Sequence, residues 1–110
     1  MGPKVYIAGP YTQGDVAQNV RTAIRAGDAI AEAGGTPFIP HLSHFWHLVC
    51  PHEYEFWIAQ DMEWLRSCDA LVRLPGPSAG ADAESKEAKR LGMPVFGSVA
   101  ACVLWLGKRV

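Results

Sequence analysis

The chain has almost no charge to spare. Its 110 residues carry ten Lys and Arg against eleven Asp and Glu, a formal net charge of −1, so it lacks the basic excess with which proteins neutralise a run of phosphates. A nucleic-acid partner is not expected. Cysteine is scarce as well: Cys50, Cys68 and Cys102 are odd in number and not closely paired, which suits free thiols in a reducing compartment better than a disulfide framework. No apolar run approaches the roughly 18 residues of a membrane span, and the opening Met1-Gly-Pro-Lys-Val-Tyr6 passes into a strand pattern without a signal-peptide region. The expectation is a cytoplasmic protein with no membrane partner. Repeats, linkers and low-complexity tracts are missing too, and the length fits one domain, residues 1–110. The Lys of a Walker loop is absent, and Gly9-Pro10 does not begin a GxGxxG fingerprint, so ATP and dinucleotide readings fall away.

What remains is an ordinary globular composition, 49% apolar and 19% charged, with a clear rhythm. Lys4 to Ala8 reads as a buried strand, Gly9 to Gly14 as a loop, and about Asp15 to Ala33 as a long helix that Asp15 caps and Gly34-Gly35 stops. In that helix Val16, Val20, Ala23, Ile24, Gly27 and Ile30 keep helical spacing. Thr36 to Pro40 is a second strand. His41 to His52 is irregular or weakly helical, Tyr54 to Cys68 a helix, Asp69 to Leu74 a third strand, and Pro75 to Ala81 a loop. Asp82 to Leu91 is a further helix, Pro94 to Gly97 a fourth strand, and an apolar segment ends near Leu106. Strands alternating with helices imply a parallel sheet with right-handed crossovers: an α/β, Rossmann-like (flavodoxin-like) three-layer sandwich. In such sheets a ligand lies beyond the carboxyl ends of the strands, where both Gly/Pro-rich loops emerge.

Two carboxylates stand out against this pattern. On the helix from Tyr54, the residues Ile58, Met62, Leu65 and Cys68 form one face with Asp61 inside its arc, while Glu63 points away. On the helix from Asp82, Glu84 falls in line with Ala81, Ala88 and Leu91. An unpaired ionised carboxylate is costly to bury, so each needs either hydrogen bonds at a helix end or a chemical task. At the start of its helix Glu84 would be held ionised by the peptide dipoles, as a nucleophile requires. The preceding Pro75-Gly-Pro-Ser-Ala-Gly80 combines a hydroxyl, small residues and a helix start, a cradle for an anion.

The runs Val5-Tyr-Ile-Ala-Gly-Pro-Tyr11, Asp61-Met-Glu-Trp-Leu-Arg-Ser-Cys-Asp69, Ser78-Ala-Gly-Ala-Asp-Ala-Glu84 and Gly92-Met-Pro-Val95 resemble the nucleoside 2-deoxyribosyltransferase superfamily, and within it most nearly the small 2'-deoxynucleoside 5'-phosphate N-hydrolases. The resemblance implies that Glu84 is the nucleophile, forming a covalent glycosyl intermediate. It makes Asp61 the acid beside the departing base and Tyr6 the strand tyrosine near the nucleophile. It also implies that Gly9, Pro10, Gly80 and Ser78 meet the substrate, with serine at position 78 favouring a 5'-phosphate, and that Ser98 reaches a substrate across a homodimer. The substrate expected is then a nucleoside or nucleotide, with no cofactor. The first loop departs from the hydrolases in lacking an Arg for the phosphate. The implied reaction is hydrolysis of the N-glycosidic bond of a (2'-deoxy)nucleoside 5'-monophosphate; base exchange by a deoxyribosyltransferase and a non-catalytic nucleotide-binding domain are the alternatives.

Between His41 and Glu53 lie His41, His44, His47, Cys50 and His52. Zinc needs three or four converging ligands, which this spacing in a Trp- and Phe-rich segment does not supply, so no metal is assigned. A lid over sugar and base fits better. Phe45, Trp46 and Trp57 offer stacking surfaces, and His41 or His44 stands where the similar hydrolases use a histidine. The apolar tail around Trp105 either caps the core or forms a subunit contact.

Overall fold

The computed structural model describes residues 2–108. Within them four strands, β1 (Lys4–Ala8), β2 (Thr36–Phe38), β3 (Ala70–Arg73) and β4 (Val95–Phe96), form one parallel sheet in the order β2-β1-β3-β4. The helices are α1 (Val16–Glu32), α2 (Ser43–Val49), α3 (Tyr54–Arg66), α4 (Ala79–Arg90) and α5 (Val99–Gly107). Alternation along β1 sends Val5 and Ile7 to one face of the sheet and Tyr6 and Ala8 to the other. The first face, with Val72, is closed by Ala23, Ala26 and Ile30 of α1 and by Cys102 and Leu106 of α5. On the second, Tyr6, Ala8 and Leu71 meet Leu65 of α3 and Ala81 and Ala88 of α4. Helix layers on both faces make this the three-layer α/β sandwich that the alternating pattern predicts.

The local chemistry explains most boundaries. Asp15 Oδ1 accepts from the Gln18 amide at 3.1 Å and starts α1. Gly34 stands at φ +96°, the left-handed conformation that ends the helix after Ala33. The α1 face is rotated slightly from the expected stripe: Ala26 is buried and Ile24 is exposed. Gly27 lets α1 cross close to the end of β2, since a β-carbon there would come within 2.4 Å of the Ile39 side chain. Strand β2 stops at Phe38, two residues short of expectation, because Pro40 opens a 3₁₀ turn over Pro40–Leu42 that runs into α2. Pro37 is tolerated because β2 is an edge strand. The 41–52 segment is thus more helical than its sequence indicates, yet α2 buries none of its residues.

The largest correction concerns α4. It starts at Ala79 rather than Asp82, because Ser78 Oγ accepts from the Ala81 amide at 3.0 Å and caps it. Leu91, expected on the inner face of this helix, instead follows its last turn and is exposed. The apolar tail forms α5, which buries Cys102 and Leu106 and packs Trp105 on Phe96 at 5.4 Å, while Leu104 stays exposed. No helix among the described residues is long and apolar enough to cross a membrane.

Candidate active site

Strand order reverses at β1: the chain passes through α1 to β2 on one side and then returns to β3 on the other. Such a switch point opens a crevice beyond the carboxyl ends of the strands. Here that crevice is a cleft of about 400 Å³, lined by Gly9, Tyr11, Thr12 and Gln13 after β1, by Ser78 to Ala81 and Glu84 after β3, and by Tyr54, Trp57, Ile58 and Asp61 of α3. Asp61 and Glu84, carried by separate helices, therefore meet in one cavity.

Glu84 is buried, only 6% exposed. Its Oε2 accepts a short hydrogen bond from the hydroxyl of Tyr6, itself completely buried on the same face of the sheet. Because α4 begins at Ala79, Glu84 sits in the second turn, beyond the reach of the helix dipole. Its ionisation is consequently governed by burial, which pushes its pKa up to about 7. The Tyr6 hydrogen bond opposes that rise, repulsion from Asp61 adds to it, and the Arg73 guanidinium opposes it again. Asp61 is likewise pushed up to about 7 by burial, and its carboxyl makes no hydrogen bond among the described residues. The Tyr6 phenol is raised far above its ordinary value by burial and by the two carboxylates, so it stays protonated and acts only as a donor.

Two carboxyls that both titrate near neutrality in one cavity share protons rather than ionise independently. The partner of each decides which one holds the proton. Tyr6 donates to Glu84 and so favours the ionised form there, while Asp61, without a donor, is the better holder of the proton. One cavity then presents a carboxylate and a carboxylic acid together.

The loops are held from outside the cleft. Arg73 donates to the carbonyls of Leu74 and Gly76 and to Asp82 Oδ1 at 2.9 Å, tying the β3–α4 loop to the first turn of α4. Gly76, at φ +112°, makes the turn this requires. Asn19 of α1 donates to the carbonyls of Tyr11 (3.0 Å) and Gln13 (2.7 Å), which shapes the first loop.

Gly9, Gly80 and Ser78 line the cleft as expected, although the Ser78 oxygen is already engaged as a cap. Pro10 is not on the cleft wall; its carbonyl accepts from His41 Nε2 at 2.9 Å. His41 is 5% exposed, burial keeps its ring neutral, and its enclosed Nδ1 has no hydrogen-bond partner. The ring therefore props the first loop, and it also lines the cleft. His44 takes a hydrogen bond with the Tyr11 hydroxyl at 2.6 Å and lies outside the cleft lining. Ser98 caps α5 through a 3.1 Å bond from the Ala101 amide, away from this cleft. Phe45 is exposed, whereas Trp57 lines the cleft with its indole N–H donated to His47 Nδ1 at 3.0 Å. His47 and His52 serve this aromatic cluster, and no group of three or more potential metal ligands converges among the described residues.

Tyr11 and Tyr54 were not anticipated. Tyr54 was legible: counting back from Asp61 by helical steps gives Ile58, Trp57 and Tyr54 on one face. Tyr11 immediately follows the Gly9-Pro10 turn at the ligand edge, which is the signal that would have found it.

A family model described as Domain of unknown function (DUF7768) matches residues 3–97. Among curated proteins no sequence matches the chain. Solved structures do. The 2-deoxyribosyltransferase of the psychrotolerant bacterium Bacillus psychrosaccharolyticus aligns with a TM-score of 0.64 at 21% identity, over 86% of this chain and 74% of that one. The 2-desoxiribosyltransferase of Leishmania mexicana aligns at 0.62 and 20% identity, over 84% of this chain and 61% of its own length. The fold is thus that of the nucleoside 2-deoxyribosyltransferases, as the sequence motifs imply.

Proposed function

Since the chain belongs to the family described as Domain of unknown function (DUF7768), whose description carries no activity, we infer its chemistry from the cleft: it breaks the N-glycosidic bond of a 2'-deoxynucleoside or its 5'-monophosphate. The observation that carries this reading is the buried Tyr6–Glu84 hydrogen bond beside Asp61 in one cavity. Cleavage of such a bond passes through an oxocarbenium-like state that needs a negative group beneath the sugar and a proton for the leaving nitrogen.

The ionised Glu84 attacks the anomeric carbon as the carbon–nitrogen bond breaks. The electron pair of that bond goes to the base, which takes the proton of Asp61. Asp61, now ionised, then accepts a proton from water as the water oxygen displaces Glu84 and releases the sugar. Tyr6 steadies the carboxylate before attack and again as it leaves. No cofactor enters these steps, and a cytoplasmic homodimer completes the reading.

A second outcome for the glycosyl intermediate is capture by another base. The structural neighbours named as 2-deoxyribosyltransferases favour it. The cleft lining contains no Lys or Arg, so a 5'-phosphate would rest on the amides at the start of α4, on Ser78 and on Thr12. This favours the uncharged nucleoside over the monophosphate that serine at position 78 implies. Incubation with matched 2'-deoxynucleosides, ribonucleosides and their 5'-monophosphates, with and without added free base, tests the reading. Release of base, absent in Glu84→Gln, is expected; no base from any substrate overturns it.

A further inference from the structure

One side of the cleft is tied together at a single atom. His47, half-buried on α2 and lining the cleft, receives at its Nδ1 the indole N–H of Trp57 at 3.0 Å and the backbone amide of His52 at 3.3 Å. Both groups can only donate. Nδ1 is therefore an acceptor and the ring proton resides on Nε2, and the same two donors fix which way the ring is turned.

This atom matters because α2 is otherwise loosely held. The helix buries none of its residues, and Phe45, Leu48 and Val49 are exposed. Trp46 meets Trp57 edge-on at 4.9 Å, so the indole that His47 fixes is also one on which α2 rests. The other side-chain hydrogen bond of α2 among the described residues joins His44 Nδ1 to the Tyr11 hydroxyl at 2.6 Å. A hydroxyl donates or accepts, so that bond survives a proton on the ring. The His47 contact does not: a proton on Nδ1 sets N–H against two N–H groups and ends both bonds at once.

The surrounding titratable groups lack this property. Those on the elements packed around His47 are His44 on α2 itself, Cys50, His52 and Glu53 in the α2–α3 turn, and Tyr54 and Asp61 on α3. Tyr11, His41 and Glu84 line the rest of the cleft. His52 meets His47 through its backbone, whose charge does not change. His41 donates to Pro10 through Nε2 in either charge state, and Glu84 accepts from Tyr6 whether ionised or not.

We propose that His47 is a clasp that closes only when neutral: as a positioning residue it fixes Trp57 and holds α2 against α3 at the cleft wall, and its protonation releases both. Histidine is the side chain that changes charge between about pH 8 and about pH 5, so this wall is firm at the upper end of that range and loose at the lower. The release is local, since neither core cluster of the sheet includes a residue of α2.

Protein labelled with 15N on tryptophan and histidine, with no substrate present, tests the clasp. At about pH 8 the His47 ring is expected to carry its proton on Nε2 and none on Nδ1. At about pH 5 the Trp57 indole proton is expected to exchange with solvent about tenfold faster, after allowance for the intrinsic pH dependence of exchange, the scale of one lost hydrogen bond. The Trp105 indole, packed on Phe96 across the sheet, is not expected to follow. His47→Asn keeps an acceptor oxygen near the place of Nδ1 and takes no proton, so it should hold Trp57 protected at both ends of the range. His47→Phe should leave Trp57 in fast exchange at both. These substitutions leave His52 and the carboxyls in place, so a Trp57 response of parental size in His47→Asn assigns the effect to those groups and overturns the proposal. So does a proton on Nδ1 in the neutral ring, or a Trp57 indole equally protected at both ends of the range. A protein that releases base from no substrate would leave the clasp intact and remove only the glycosidic reading.

Discussion

The two faces of the sheet are built from the same strands and do opposite things. Val5, Ile7 and Val72 meet α1 and α5 in a cluster made wholly of apolar side chains and one thiol, and burial there is uniformly favourable. One residue along β1, Tyr6 brings a hydroxyl into the other face, where α3 and α4 carry Asp61 and Glu84 against the same sheet. Glu84 is buried and Asp61 half-buried, at a cost that their surroundings only partly offset, with both pKa values rising to about 7. The difference teaches where stability is made and where it is given up: α1 and α5 hold the fold, and the α3–α4 side carries two acids that their surroundings push toward neutrality.

The comparison breaks most sharply on a pair of substitutions, one per face. Glu84→Gln is expected to lower base release by about a thousandfold or more, the scale on which loss of a nucleophile acts, with folding intact by circular dichroism. Ile30→Ala, across the sheet, is expected to cost about 2–5 kcal/mol in a denaturant titration and to leave kcat per folded molecule unchanged. If Ile30→Ala alters kcat, or Glu84→Gln does not, the division of labour between the faces fails.

A third test uses pH. Both acids have folded-state pKa values near 7, above the values near 4 of an unfolded chain. Between those limits the unfolded state releases protons that the folded state keeps, so stability falls as pH rises from about 4.5 to 7.5 and then levels. A loss of several kcal/mol is expected, since each acid contributes through its own shift, and Glu84→Gln with Asp61→Asn together should flatten it. A parent protein whose denaturation midpoint rises over this range would show that the acids are not paying the burial cost assigned to them.

How much of this the residues disclosed in advance also divides between the faces. The apolar spacing of α1 and the strand runs were readable because burial there follows period alone, and the inward facing of Asp61 and Glu84 followed from the same rule. The start of α4 was missed because Ser78 was read only as an anion contact, although its oxygen also caps the helix. That one error placed Glu84 in the first turn, and with it the expectation of a dipole-stabilised carboxylate. Helix α2 has apolar side chains around its circumference and buries none, so period could not define it. His41 was read as a ligand contact and does line the cleft; only the fold reveals that its Nε2 also meets the Pro10 carbonyl at 2.9 Å. A second cavity, lined by Phe38, Trp46, Gln60 and Trp64, joins β2, α2 and α3, and no local pattern brings those segments together.

Tyr6 sharpens the comparison at its smallest scale, because it is a β1 residue like Val5 and Ile7 and differs from them by facing Glu84. Tyr6→Phe keeps the ring packed on Phe38 and removes only the donor. The Tyr6 hydrogen bond lowers the Glu84 pKa, so its loss raises that value, and a hydrogen bond to a charged group is worth about 1.5–3 kcal/mol. The acid limb of the kcat/KM profile should therefore move to higher pH by about one unit or somewhat more, while activity well above that limb falls less. Because the phenol stays protonated throughout the working range, the alkaline limb should not move. An unshifted acid limb would mean that the hydroxyl merely fills space on this face, as a core residue does on the other.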